Sequence, residues 1–264
     1  MNIEFLLLLL VLGSIVGVLA GLLGIGGGLV IVPALMFLLP MAGISPDIIM
    51  NIALATSLAS IIVASGSSAL NHLKLGNVDM YAVKWLIPGV VIGGLLGTNV
   101  VELVPSQYLP QIFGVIMLML AMQMLLSLKA KAQRAMPSPL KTIGCGAGIG
   151  IISSFAGIGG GSLSVPFLNR HGVEMRRAVG SSSVCGCVIA LAGAAGFIFH
   201  GVNNANLPEY SLGYIYLPAL VAISITSMFT TKIGARLATQ LPTAALKKIF
   251  AVFLIFVAVT MLLH

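Results

Sequence analysis

The sequence predicts an all-α, polytopic membrane protein made of two related halves with opposite orientations. Three observations carry this reading. Of 264 residues, 59% are hydrophobic and only 7% charged, where a soluble domain carries about 25% charged residues. Mean hydropathy is +1.13. A glycine cluster, "GIGGG", occurs at Gly24–Gly28 and again at Gly157–Gly161. Finally, the 13 Lys and Arg residues fall on one side of a bilayer only if the halves face opposite ways.

The chain opens with "MNIEFLLLLLVLGSIVGVLA", whose only charge is Glu4. A cleaved signal peptide has a basic n-region before its apolar core. The segment is therefore expected to belong to the mature protein. Four apolar segments fill each half: 5–39, 48–71, 82–103 and 107–128 in the first, then 142–168, 178–200, 211–236 and 244–263. About 20 residues span a bilayer, so six are simple spans. The first segment of each half is interrupted by its glycines.

The repeat extends beyond the glycines. Pro33 and Pro166 keep the offset of the two clusters, and "ALATSL" (Ala53 to Leu58) resembles "AVGSSS" (Ala178 to Ser183). Later, Gly97, Pro105, Leu109, Ile112 and Phe113 match Gly234, Pro242, Leu246, Ile249 and Phe250. The expected units are 1–128 and 142–264. The basic, proline-containing stretch 129–141 reads as a cytoplasmic linker.

Orientation follows from the positive-inside rule. If all eight segments cross once, Arg170, Arg176, Arg177, Lys232, Arg236, Lys247 and Lys248 oppose Lys74, Lys84, Lys129, Lys131, Arg134 and Lys141. That arrangement has no bias. If the second half's glycine-broken segment enters and leaves on one side, every basic residue is cytoplasmic. Glu102, Asp47 and Glu209 then lie outside, as does the C-terminal His264. Three spans plus one returning segment is an odd unit, so the halves become inverted-topology repeats, an arrangement common in secondary transporters. Whether the first segment also returns is open, because its N-terminal part is long enough to span alone.

Non-helical backbone at membrane depth survives only where protein or a watery cavity satisfies it. "LVIVPALMFL" and "SLSVPFL" can restart as short helices after the glycines. Each break then offers free N–H groups at a helix N-terminus, where the dipole adds about half a positive charge. Glycine lets an anion approach the backbone closely. The candidate substrate-binding residues are Gly24, Gly26, Gly27, Gly28, Gly157, Gly159, Gly160, Gly161 and Ser162. Close helix packing is the competing role for such glycines. A P-loop is excluded, since no Lys-Ser/Thr follows the cluster, and the cluster is not the G-x-G-x-x-G of a dinucleotide fold.

"GIGGGLVIVPAL" and "GIGGGSLSVPFL", with "ALATSL" and "GSSSV" following them, resemble the sulfite exporter TauE/SafE family over nearly the whole chain. The resemblance implies a bacterial inner-membrane transporter. It also implies export of sulfite, sulfoacetate or other small sulfur-containing or organic anions. Ser162 and Ser164 stand where the first copy has Leu29 and Ile31, so the two breaks are chemically unequal.

Polar residues inside spans are costly and often functional. Thr56 and Ser57 occupy the second segment, and Ser181 and Ser182 its repeat mate. They either donate to an oxyanion or tie helices together. Ser65, Ser67 and Ser68 are read as packing residues. His72 and His200 end the same two segments, at opposite mouths in the inverted arrangement; they are candidates for proton coupling or plain interfacial residues. Arg176 and Arg177 either anchor the topology or draw anions to the cytoplasmic mouth. No Asp or Glu lies mid-span, which points to a uniporter-like or indirectly coupled carrier.

Cys145, Cys185 and Cys187 show no metal or redox spacing, and the net charge of +7 is loop charge rather than a nucleic-acid footprint. No catalytic residue, cofactor or metal is expected. The expected partners are a small anion, the bilayer and, if coupled, protons. A channel would use the same site. An intramembrane hydrolase built on Ser162 or Ser164 with His200 lacks the G-x-S-x-G elbow. A scaffold subunit would move nothing.

Overall fold

The structure is a computed structural model that describes residues 3–23, 27–126, 135–238 and 243–263. The first half contains α1 (Ile3–Leu23), α2 (Gly28–Leu38), α3 (Pro46–Lys74), α4 (Met80–Leu103) and α5 (Leu109–Leu126). The second contains α6 (Pro139–Ala156), α7 (Gly161–Arg170), α8 (Met175–Gly201), α9 (Leu217–Ala238) and α10 (Thr243–Leu262). Among the described residues six helices are long and apolar enough to cross a membrane. The expected linker 129–141 lies largely outside the described residues.

The apolar segment 211–236 differs from expectation at its start. Ser211–Leu212 and Ile215–Tyr216 form a short antiparallel hairpin, β1 and β2, before α9 begins. Gly213, at φ +56°, makes the turn. Hydropathy does not separate this aromatic hairpin from the helix after it.

Two clusters define the ends of the bundle. At one, the Arg177 guanidinium lies 3.6 Å from the Asp79 carboxylate, joining the start of α8 to the start of α4. At the other, Asn51 and Tyr214 donate to the Glu102 carboxylate at 3.2 and 3.1 Å, joining the start of α3, the end of α4 and the β-hairpin. Burial pushes the Tyr214 phenol up from its ordinary pKa, so it remains a donor.

The course of each broken segment follows from its neighbours. α1 starts at the Glu102 end, where the Phe5 ring lies 6.5 Å from that of Tyr216. It then runs beside α9 in the same direction: Gly13 abuts Ile223 and Thr226, Gly17 abuts Ser227 and Thr230, and Val18 and Leu22 abut Gly234. The chain then turns back, so that Gly27 lies beside Val16 and Ala20. α2 returns to the Glu102 end, where Met41 to Ser45 share a cavity with Phe5 and Tyr216. The first broken segment is thus a returning hairpin, the point that the sequence left open.

The second broken segment does the same from the Arg177 end. α6 runs beside α4 in one direction, with Gly89 on Ile143, Gly93 on Ala147 and Gly97 on Ile151 and Ser154. α7 turns back until Leu168 packs with Val78, Ala82 and Ala178. Glycines spaced by four make these approaches possible, because an added methyl would strike the neighbouring backbone. The packing role weighed for glycine therefore belongs to these stripes.

The contacts also pair up when the halves are exchanged. α1 packs on α9 as α6 packs on α4; α2 packs on α3 as α7 packs on α8; α3 meets α8 and α5 meets α10.

Candidate functional site

The tips of the two hairpins touch. A side chain at Gly28 would strike the Gly157 carbonyl, with Ile61 and the Ser57 hydroxyl beside it. Gly27, Gly157 and Gly160 have φ of +72°, +58° and +67°, the left-handed region that glycine enters without strain. Gly24 and Gly26 lie outside the described residues. A break occurs in each segment because these glycines end one helix and let the next begin.

At the second break, α6 closes with Gly157 N–H donating to the Ser154 carbonyl and Ile158 N–H to the Ser153 carbonyl, at 3.4 and 3.0 Å. This is a Schellman-type end. On the far side, Leu163 and Ser164 donate to the Gly160 carbonyl. Between these, the N–H groups of Gly159, Gly160, Gly161 and Ser162 have no acceptor among the described residues. They sit at the N-terminal, positive end of α7.

Hydroxyl groups accompany those amides. The oxygens of Ser153, Ser162, Ser164 and Ser182 are buried and have no hydrogen-bond partner. Ser153, Ser164 and Ser182 expose 0%, 1% and 3% of their surface. A buried polar group left unpaired costs about 1–3 kcal/mol. Ser153 Oγ lies 3.3 Å from the place a Cβ would take at Gly160, so it faces the break. Ser65 Oγ stands equally near Gly159 and Gly186, 3.5 Å from the same position on each. Ser182 is one turn along α8 from Gly186.

The other hydroxyls tie backbone. Ser57 donates to the Gly157 carbonyl at 2.7 Å. Thr56 Oγ1 accepts from Tyr216 N–H at 3.1 Å, just before α9. Ser181 Oγ accepts from Asp79 N–H at 2.8 Å, just before α4. Thr56 and Ser181 are the residues matched by the repeat, and each caps the approach to a helix of the opposite half.

The remaining candidates lie away from the break. His72 is near the Arg177 end, with its buried Nδ1 unpartnered and close to Gly180. His200 is near the Glu102 end, with its ring edge-on to Phe199. Arg177 also donates to the Val78 carbonyl at 3.4 Å, and Arg176 is exposed.

Ser153 escapes the sequence reading, and Ser65 is assigned there to helix packing. Ser153 precedes the glycines and matches Ala20 of the first half, so a search for shared residues passes over it. Ser65 falls in a run of small residues that reads as packing. The first break has a different lining: Ala20, Leu29 and Ile31 stand where the second has Ser153, Ser162 and Ser164. At these three matched positions the second half has hydroxyl groups and the first has none.

A family model described as "Sulfite exporter TauE/SafE" matches residues 9–261. The chain is 44% identical to a "Probable membrane transporter protein" of Haemophilus influenzae over 98% of both chains. It is 30% identical to a protein with that description from Methanocaldococcus jannaschii, covering 89% of this chain and 88% of the other. It is 27% identical to a further "Probable membrane transporter protein", from Bacillus subtilis, over 95% and 94%. No solved structure matches the chain.

Proposed function

The chain belongs to the sulfite exporter TauE/SafE family and is a multi-pass membrane transporter; from that premise we propose that it is a secondary carrier of a small anion, working by alternating access. The carrying observation is the second glycine break, where four unpartnered N–H groups and buried, unpartnered serine hydroxyls stand beside the tip of the other hairpin. All of these groups donate hydrogen bonds. The ligand that suits them is a compact acceptor such as an oxyanion, and membership of a sulfite exporter family makes sulfite the first to try.

The two halves, 1–128 and 142–264, act as inverted-topology repeats in this reading. Its support is that the α1–α2 hairpin opens at the Glu102 end, the α6–α7 hairpin opens at the Arg177 end, and their tips adjoin. The described Lys and Arg residues gather toward the Arg177 end, which makes that end cytoplasmic by the positive-inside rule. The protein then sits in the bacterial inner membrane with its C-terminus outside.

One observation favours a carrier over a channel. Gly28 to Pro33 of α2 are buried, whereas their counterparts in α7 are half-buried apart from Ser164. Residues 48–61 of α3 are likewise buried, while most of 62–75 are not. Packing is tighter around the half of α3 toward the Glu102 end than around the half toward the Arg177 end, an asymmetry expected of one state of an alternating device. Exchanging the packing of the two halves would give the opposite state.

The test is a flux screen with the purified protein in liposomes, comparing sulfite, sulfate, thiosulfate, small sulfonates and carboxylates. Saturable flux with counter-transport of an anion is the expected result. Movement of cations or neutral solutes alone would refute the reading.

A further inference from the structure

We infer that the site binds one negative charge with no fixed counter-charge, so that each cycle moves net charge and the membrane potential itself drives the anion outward. This rests on the proposed function and adds its driving force.

Neutral dipoles make up the whole site. Gly159, Gly160, Gly161 and Ser162 supply N–H groups, Ser153 supplies a hydroxyl that faces Gly160, and the unpartnered hydroxyls of Ser162 and Ser164 lie on the first turn of α7. Every described Asp, Glu, Lys, Arg and His lies in a connection or within about two turns of a helix end. Along the chain the nearest cations to the break are Lys141, about 24 Å back along α6, and Arg170, about 13 Å on along α7, at 1.5 Å per residue. His72 of α3 is seven residues, about 10 Å, along its helix from Ser65 and faces Gly180; no acidic or basic side chain is among the nearest neighbours of Gly28, Gly157, Gly159 or Gly160.

Desolvation sets the size of the charge that fits. α7 begins at Gly161 inside the break, and α2 begins at Gly28, against Gly157. Each N-terminus carries about half a positive unit, and the C-termini of α1 and α6, which end at the same two breaks, about half a negative unit each, so the helix ends supply N–H donors without a net charge. The same neutral donors face a monoanion and a dianion, whereas the cost of desolvating an ion rises with the square of its charge. The site is therefore suited to monovalent anions and against divalent ones.

A carrier that returns empty then moves one negative charge per cycle. Moving one charge through 100 mV corresponds to about a 50-fold ratio in concentration. A cell that is negative inside would expel such an anion without a coupling ion.

The experiment uses the full-length protein in liposomes. A potassium gradient with valinomycin sets the potential, and in separate samples a potassium gradient with nigericin, an electroneutral potassium–proton exchanger, sets the pH gradient. Methanesulfonate is the monovalent probe and ethane-1,2-disulfonate the divalent one; if the flux screen finds a faster monovalent anion, that anion replaces methanesulfonate. The expected result is a steady-state methanesulfonate ratio near 50-fold per 100 mV that inverts with the sign of the potential and ignores the pH gradient. The disulfonate should move at least 10-fold more slowly. A distribution that follows the pH gradient and ignores the potential would overturn the inference and leave the carrier reading standing. Equal rates for both probes would overturn the single-charge site. If no anion of the screen moves faster than in protein-free liposomes, the carrier reading fails and this inference falls with it.

Discussion

The Ser57 hydroxyl donates a 2.7 Å hydrogen bond to the carbonyl of Gly157, one hundred residues later in the chain and fully buried. The bond ties α3 of the first half to the turn of the second. Gly28 must be glycine for the contact to form, because a Cβ there would meet both partners. Ser182, the repeat counterpart of Ser57, has no such partner.

The two serines should therefore behave differently when truncated. Ser57→Ala leaves a buried carbonyl unpaired, costing about 1–3 kcal/mol. It should lower the thermal unfolding temperature in detergent. Ser182→Ala removes a hydroxyl that is already unpaired, so the apo protein should be as stable as the parent or slightly more so. Equal loss of stability in both variants would contradict the assignment of Ser57 as a tie.

Backbone conformation gives a second contrast. Gly160→Ala places a Cβ at φ +67°, a conformation costing roughly 1–2 kcal/mol for an L-residue, and drives it into the Ile189 side chain. Anion flux should be lost. Gly148 is helical and open, with nothing within 4 Å of an added Cβ. Gly148→Ala should keep full flux and gain up to about 1 kcal/mol in stability. Purified yield, unfolding temperature and flux together distinguish the cases.

Much of this was legible in the sequence, for physical reasons. Span-length apolar segments and breaks at Gly24–Gly28 and Gly157–Gly161 follow from local composition. The return of α2 did not, because it depends on Gly27 meeting Val16 and Ala20, a tertiary fact. The glycines sorted into two roles only in three dimensions. Gly89, Gly93 and Gly97 press helices together, whereas Gly157 and Gly160 turn the chain through the left-handed region. The roles of Thr56 and Ser181 were equally hidden: each caps the approach to a helix more than one hundred residues away. Residue type alone does not separate a capping hydroxyl from a vacant one.

Proton coupling through the two terminal histidines has a direct check. His72 and His200 lie toward opposite ends of the bundle, away from the break. If the membrane potential is the driving force, His72→Gln with His200→Gln should leave flux, its potential dependence and its pH profile unchanged. Loss of a pH dependence present in the parent would restore the coupling role.

Arg176 and Arg177 bear on the rate of capture. Arg177 is about half exposed and its contact with Asp79 is long, at 3.6 Å, so the pair contributes about 0–1 kcal/mol to stability. Replacing both arginines by Gln should leave the unfolding temperature nearly unchanged. Flux from the cytoplasmic side at low anion concentration should fall several-fold in dilute salt. The difference should vanish near 1 M salt, where screening acts within about 3 Å. A deficit that persists in high salt would place the arginines in structure rather than in steering.

The central claim is that the vacant donors of the second break hold the anion. Its most direct measurement is the KM for anion flux in the combined Ser153→Ala, Ser162→Ala, Ser164→Ala variant. Hydrogen bonds to a charged ligand are worth about 1.5–3 kcal/mol each, so KM should rise at least about 10-fold while the unfolding temperature of the apo protein holds or rises. An unchanged KM in a stable variant would contradict the account.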